Sequence, residues 1–260
     1  MSGPGGEVLR VEGLRKSFGP VRAVDGVSLG VRAGELRALI GPNGAGKSTC
    51  FNVVNGQLRP DAGRVRLDGE DITGLAPRDV WRRGVGRTFQ VAATFGSMTV
   101  VENVQMALIS HHHRFGALWP RAAGLYRDEA MAALVKVGMA EQAERRCAVL
   151  AYGDVKRVEL AVALANKPRL LLMDEPTAGM APAERAALMD LAARIAREDG
   201  IAVLFTEHDM DVVFRHADRI MVLHRGAVIA EGPPAQVRDD PRVREVYLGS
   251  ARRPPEARPC

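Results

Sequence analysis

The chain has 260 residues, 47% of them hydrophobic, and a formal net charge of +5. That length bounds it to one or two domains with ample core. No apolar run is long enough to span a bilayer, and the opening Met1-Ser-Gly-Pro-Gly-Gly-Glu7 lacks the basic-then-apolar pattern of a secretory leader, so the cytoplasm is the expected compartment.

The positive charge comes from arginines spread along the chain. It reads as solvated surface, and no nucleic-acid partner is expected. Cys50, Cys147 and Cys260 lie far apart with no metal spacing, so reduced thiols are expected.

Residues 1–6 read as a loose tail. Residues 8–11 and 27–31 read as short strands, joined by a linker that contains Phe18. The flat face of Phe18 could stack on a nucleobase, or it could simply pack at a turn. Residues 35–40 end in apolar side chains and read as a buried strand. Directly after them stand Gly41, Pro42, Asn43, Gly44, Ala45, Gly46, Lys47, Ser48 and Thr49, which fit the phosphate-binding pattern G-x-x-x-x-G-K-[ST]. Residues 48–55 then start a helix. The order has a chemical reason. Glycines let the backbone curl so that N–H groups point at phosphate oxygens. The helix turns its positive end to the same place. Lys47 supplies a cation for the terminal phosphates, and the Ser48 hydroxyl can ligate Mg²⁺.

Asp61-Ala-Gly63 and Asp68-Gly69 are turn signals around residues 65–67, a hairpin pattern. The first region therefore reads as antiparallel around the nucleotide strand. Residues 77–83 read as a short helix and 85–89 as a strand, with Gln90 at its end. Thr99-Val-Val-Glu102 is a capping-box pattern that opens a helix to about residue 110. His111, His112 and His113 begin what reads as a loop; adjacent residues share no helix face, so they form no metal site by spacing. Residues 127–138 and 139–146 read as helices.

Residues 170–175 are four apolar residues followed by Asp174 and Glu175, a buried parallel strand with charge at the end where open α/β sheets place ligands. One carboxylate there can hold Mg²⁺ and the next can take a proton from an attacking water; the assignment is Asp174 to the metal and Glu175 to the base. Residues 182–197 read as a helix and 201–206 as another buried strand. His208, just past it, can hydrogen-bond a terminal phosphate and the attacking water. Gln90 could reach Mg²⁺ or water, though alone it is only a polar loop residue. Residues 211–216 read as a short helix, 219–223 and 228–231 as a hairpin, and 234–248 as one or two short helices. Residues 251–260 read as a disordered tail.

Taken in order, Gly41 to Ser48, Gln90, Leu150-Ala-Tyr-Gly-Asp154, Leu170 to Glu175 and His208 resemble the ATP-binding subunits of ABC transporters. The resemblance covers nearly the whole chain. It implies an α/β fold: a P-loop NTPase core with a RecA-like, mostly parallel sheet, an N-terminal antiparallel β subdomain and a helical insertion at about 91–166. One domain over 7–250 is implied. Phe18 matches the adenine-stacking aromatic and residues 41–49 the Walker A loop. Gln90 matches the Q-loop glutamine. Leu150, Ala151, Tyr152, Gly153 and Asp154 match the signature motif that meets the partner's nucleotide. Asp174 matches the metal carboxylate, Glu175 the catalytic base and His208 the switch histidine.

Outer stretches resemble the subgroup serving branched-chain amino acid uptake: Arg87-Thr-Phe-Gln90, Met98-Thr-Val-Val-Glu-Asn103, Glu207-His-Asp-Met210 and Asp240-Pro-Arg-Val-Arg-Glu-Val-Tyr-Leu-Gly249. Subunits for lipid or lipopolysaccharide export share several of these, as do non-transport ABC ATPases for the nucleotide set. The resemblance implies ATP and Mg²⁺ as cofactors. The implied partners are a second ATPase subunit, a different chain or a copy of this one, and transmembrane permease subunits, with a solute-binding protein indirectly. The implied place is the cytoplasmic face of the membrane. Two departures stand out. The usual signature reads Leu-Ser-Gly-Gly-Gln, so Ala151 lacks a hydroxyl for the phosphate. Ala181 stands where many relatives carry Asp or Asn.

Overall fold

The computed structural model describes residues 6–88, 94–111 and 124–249. Its first feature is a long hairpin. β1 (Glu7–Phe18) and β2 (Val21–Arg32) pair antiparallel from Glu7 opposite Arg32 to Phe18 opposite Val21. The sequence reading caught only the apolar parts of these strands. In the remainder Leu14 and Val24 are buried singly among exposed and half-buried positions, because one face of the ribbon meets water, and so no apolar run marks it. β3 (Leu36–Ile40) is buried at every position, and α1 (Lys47–Val54) follows the glycine-rich loop. β4 (Ala62–Leu67) and β5 (Glu70–Asp71) turn about Asp68-Gly69 and join the hairpin in a sheet ordered β2-β1-β4-β5.

α2 (Pro77–Arg82) and β6 (Val85–Thr88) come next. α3 (Val100–His111) opens on the expected capping box: the Thr99 N–H donates to Glu102 Oε2 at 2.7 Å, and the Glu102 N–H donates to Thr99 Oγ1 at 3.3 Å. His111 completes this helix instead of starting a loop, and its ring meets the edge of Trp81 at 5.2 Å. His112 and His113 lie outside the described residues.

α4 (Arg127–Lys136) stands as expected, but the helices expected over 139–146 do not form. Single 3₁₀ turns stand there, at Ala140–Gln142 and Cys147–Val149. The reason is hydrogen bonding. The carbonyls of Ala143 and Arg145 accept from the N–H groups of Val101 and Val100, which have no partner within α3. That crossing holds Arg146 extended, as an antiparallel bridge to Thr99, with the Cys147 N–H donating to the Met98 carbonyl at 3.0 Å and not to a carbonyl four residues back, so no helix runs through it.

α5 (Tyr152–Leu164), β7 (Leu170–Asp174), α6 (Pro182–Asp199), β8 (Ala202–Thr206), α7 (Met210–His216), β9 (Arg219–His224), β10 (Ala227–Gly232), α8 (Pro234–Asp239) and α9 (Pro241–Gly249) follow among the described residues. The central sheet runs β10-β9-β3-β8-β7-β6. All its pairs are parallel except β10 with β9. Its strands alternate between two cores. Leu171, Met173, Val203 and Phe205 face one core with α3 to α6; Leu170, Leu172, Ala202 and Leu204 face the other, with the hairpin sheet and α1. That two-sided burial is why these strands read as continuous apolar runs. Each buried Leu, Val or Phe contributes about 1.5–3 kcal/mol. The C-terminal ends of β3, β7 and β8 are thereby fixed side by side, at the edge where the charged residues begin.

Candidate functional site

The glycine-rich loop is held in shape by its neighbours. Gly46, at φ +104°, opens α1, and a Cβ there would stand 2.2 Å from the Ala23 carbonyl oxygen. No other residue fits that approach. The Gly226 N–H donates to the Ala45 carbonyl at 3.0 Å, and the Asp25 N–H donates to Gly226 at 2.9 Å. The loop is therefore braced by the β9–β10 turn and by β2. Lys47 is buried, and its Nζ donates to the carbonyls of Gly41 at 2.7 Å and Pro42 at 3.2 Å. Burial pushes its ammonium below the usual lysine range, against the pull of Glu175 and Asp174. That ammonium is a cation near two carboxylates, at the N-terminal end of α1.

A cleft of about 290 Å³ joins the predicted residues Phe18, Asn43, Gly44, Ala45, Gly46, Lys47, Ser48, Thr49, Glu175 and His208. Phe18 is 49% exposed at the end of β1, with the Lys16 ammonium 5.8 Å from its ring centre. About half of its surface is therefore in water, where it lines the cleft.

Asp174 is the last residue of β7 and Glu175 follows it directly, at the strand end that the sequence implied. The Thr206 hydroxyl donates to Asp174 Oδ1 at 2.8 Å, and Arg87 Nη2 stands 3.3 Å from Oδ2. Arg87 also donates to Asn52 on α1 at 3.1 Å, so one guanidinium ties the metal-type carboxylate to the helix of the phosphate loop. The sequence reading assigned Arg87 no place in the site; its position at the end of β6, beside β7, was the available signal. Glu175 has φ +48°, an uncommon conformation for a residue with a side chain. Its N–H donates to the Thr206 carbonyl and hydroxyl at 3.2 and 3.1 Å. Its Oε1 lies 2.7 Å from His208 Nε2. The base-type carboxylate and the imidazole are therefore in direct contact across β7 and β8.

A hard divalent cation such as Mg²⁺ needs few protein ligands, because water and phosphate oxygens fill most of its shell. The Ser48 hydroxyl beside Lys47 and the carboxylate of Asp174 are oxygen donors of that kind, and they fit. Gln90 lies outside the described residues.

The signature residues are elsewhere, on their own edge. Ala151 precedes α5 with no side-chain cap, and it is exposed. Tyr152 is 45% exposed, with its ring against Gly179, where a Cβ would lie 3.5 Å from the ring. The Lys156 ammonium is 5.5 Å from that ring and pairs with Glu159 at 3.0 Å. Gly153 is buried in the first turn, and Gln142 donates to Asp154 at 3.2 Å. Leu150 is half-buried against the core. Ala181 begins α6 with no side-chain acceptor; Glu184 alone caps, taking the Ala181 N–H at 3.2 Å.

One contact was not legible in the sequence. The Tyr247 phenol on α9 is half-buried, and that desolvation pushes it up to about 12, while the Gly41 backbone hydrogen-bonds to it. The last helix thus reaches the first residue of the phosphate loop.

A phosphate loop at the end of a central parallel strand, with a carboxylate pair at the same edge two strands away across β8, makes this a P-loop ATPase of the ATP-binding cassette type. Residues 24–178 match the family model described as "ABC transporter". Residues 227–252 match that of "Branched-chain amino acid ATP-binding cassette transporter". The chain is similar to the high-affinity branched-chain amino acid transport ATP-binding protein BraF of Pseudomonas aeruginosa, at 40% identity over 94% of this chain and 98% of that one. It is also similar to a solved ATP-binding cassette of an ABC transporter in its ADP conformation, with 34% identity, a TM-score of 0.83 and coverage of 94% and 99%. A dimeric cassette bound to ADP and phosphate in a post-hydrolysis state matches at 28% identity and a TM-score of 0.72, covering 87% and 98%. The chain belongs to the ABC transporter family, and to the ATP-hydrolysing cassettes within it.

Proposed function

We propose that this chain is the subunit that hydrolyses ATP to energise an importer of branched-chain or related amino acids. The observation that carries the catalytic part is the 2.7 Å contact of Glu175 with His208, in the same cleft as Lys47 and Ser48. In this reading the ATP phosphates lie in the loop of residues 41–49, with Lys47 turned from the Gly41 and Pro42 carbonyls to the terminal phosphates. Phe18 stacks on the base. Ser48 and Asp174 hold Mg²⁺, with Gln90 as a further donor. When bound, that ion neutralises charge on the terminal phosphates. Glu175 takes the proton of the attacking water, and His208 orients Glu175 and the terminal phosphate. A positioned general base accelerates such a step by roughly 10²–10⁴.

The signature residues 150–154 complete the site of a second ATPase subunit, head to tail. Support comes from the exposed start of α5, where backbone N–H groups and the helix dipole are free to meet a phosphate. No helix among the described residues is long and apolar enough to cross a membrane. Permeation therefore falls to transmembrane partners, and the chain works at the cytoplasmic face. In this reading the helical insertion, with α3 to α5 among its described parts, meets them. The amino-acid assignment rests on what BraF is named for and on the C-terminal match.

The test is affinity capture of the tagged chain from solubilised membranes of its source, with ATPase activity measured on the captured material. A multi-span permease, a second ATPase and vanadate-sensitive hydrolysis stimulated by a branched-chain amino acid with its binding protein are expected. Capture of ribosomes or nucleic acid without a permease would overturn the transport reading and leave the ATPase.

A further inference from the structure

Glu207 is a buried carboxylate that the proposed chemistry does not use. It stands between Thr206, the last residue of β8, and His208, and it is 4% exposed. Its Oε1 accepts from the Thr177 N–H at 2.9 Å and from the Thr177 hydroxyl at 2.6 Å. Its Oε2 accepts from the His208 N–H at 3.2 Å. Thr177 is two residues beyond Glu175, and Thr177 is itself buried. One carboxylate thus bridges the two turns that carry the two partners of the 2.7 Å contact.

Such a group has a clear physical task. Glu175 and His208 belong to different loops, and each loop has its own freedom. Glu175 also holds a left-handed backbone conformation, which costs of order 1–3 kcal/mol and persists only when surroundings over-determine it. Thr206 pins the near end of that turn through its carbonyl and hydroxyl, and Glu207 pins the far end through Thr177. A buried carboxylate left without donors would be costly, so the bridge resists opening.

We infer that Glu207 is a positioning residue for hydrolysis: it locks the turn after β7 to the turn after β8, and so keeps the Glu175 carboxylate within hydrogen-bond reach of the His208 imidazole. The inference rests on the reading of Glu175 and His208 as the hydrolytic pair. Glu207 touches neither ATP nor water in this role; it acts only by holding the Glu175 carboxylate and the His208 imidazole in contact.

The test is a double-mutant cycle on the full-length chain. Glu207→Gln keeps the volume but gives up one acceptor, since its amide N–H faces the His208 N–H. Steady-state ATPase is measured for the wild type, Glu207→Gln, His208→Ala and the double variant, with ATP affinity and thermal midpoint beside each. Glu207→Gln is expected to lower kcat roughly 10–100-fold, the scale of a small misplacement, with little change in ATP affinity. In the His208→Ala background the same change is expected to cost almost nothing more. Thr177→Val, which removes the hydroxyl donor, should repeat the pattern and serves if Glu207→Gln fails to fold. Wild-type kcat in both variants, or an equal loss in both backgrounds, would overturn the positioning role alone. Wild-type hydrolysis in His208→Ala and Glu175→Gln would overturn the pair itself and the positioning role with it.

Discussion

Lys47 and Tyr152 each open a helix, yet Lys47 is buried and Tyr152 is 45% exposed. The phosphate-loop edge is finished within the chain. Its carbonyls hold Lys47, its glycines are wedged against β2 and the β9–β10 turn, and its carboxylates are tied by Thr206, Arg87 and His208. The signature edge is not finished. Ala151 offers no cap, and the ring of Tyr152 leans on Gly179 with one side in water. A preorganised site can bind a phosphate alone, whereas an open helix start needs a second surface. That contrast is what the head-to-tail pair proposed above would use, and changes on the two edges should separate binding from dimerisation.

The largest effect is expected from Lys47→Ala. It removes the cation of the finished edge, and ATP binding followed with a fluorescent analogue should be lost. Normal affinity would break the comparison at its root. Next is Glu175→Gln, which should keep ATP affinity while turnover falls by about 10²–10⁴. Light scattering should then find an ATP-dependent dimer. Ala151→Ser tests the open edge. A hydrogen bond to a charged phosphate is worth about 1.5–3 kcal/mol, so roughly tenfold less ATP should half-saturate dimerisation in the Glu175→Gln background. Monomer affinity for ATP should not move. No change in dimerisation would mean that the signature does not meet the nucleotide. The smallest effect belongs to Tyr247→Phe, which removes one hydrogen bond to the finished edge, worth about 0.5–1.5 kcal/mol. ATP affinity should weaken a few-fold while dimerisation at saturating ATP stays the same.

Several parts of the site were legible in the sequence because they are local. The phosphate loop is nine consecutive residues, and its fit to a pattern needs no partner elsewhere. Asp174, Glu175 and His208 follow buried apolar runs, and such a run fixes a strand whose end lies at a sheet edge. Parts of the hairpin and of residues 139–146 were misread for the opposite reason. The outer half of the hairpin meets water on one face, so its strands lack an apolar run. Residues 139–146 have helix-like composition, but the segment is drawn out into an extended bridge with Thr99 at the start of α3.

The sequence by itself determined the phosphate loop, the order of strand and carboxylate, and the family. These depend on residue type and spacing along one segment. Only the tertiary structure decided that Arg87 joins α1 to Asp174, that Tyr247 reaches Gly41, and that Glu207 bridges Thr177 and His208. Each of these pairs residues dozens to more than two hundred positions apart, save the His208 link. Spacing carries no information over such distances. The packing of both faces of one parallel sheet sets which strand ends lie side by side, and that decides which side chains can meet.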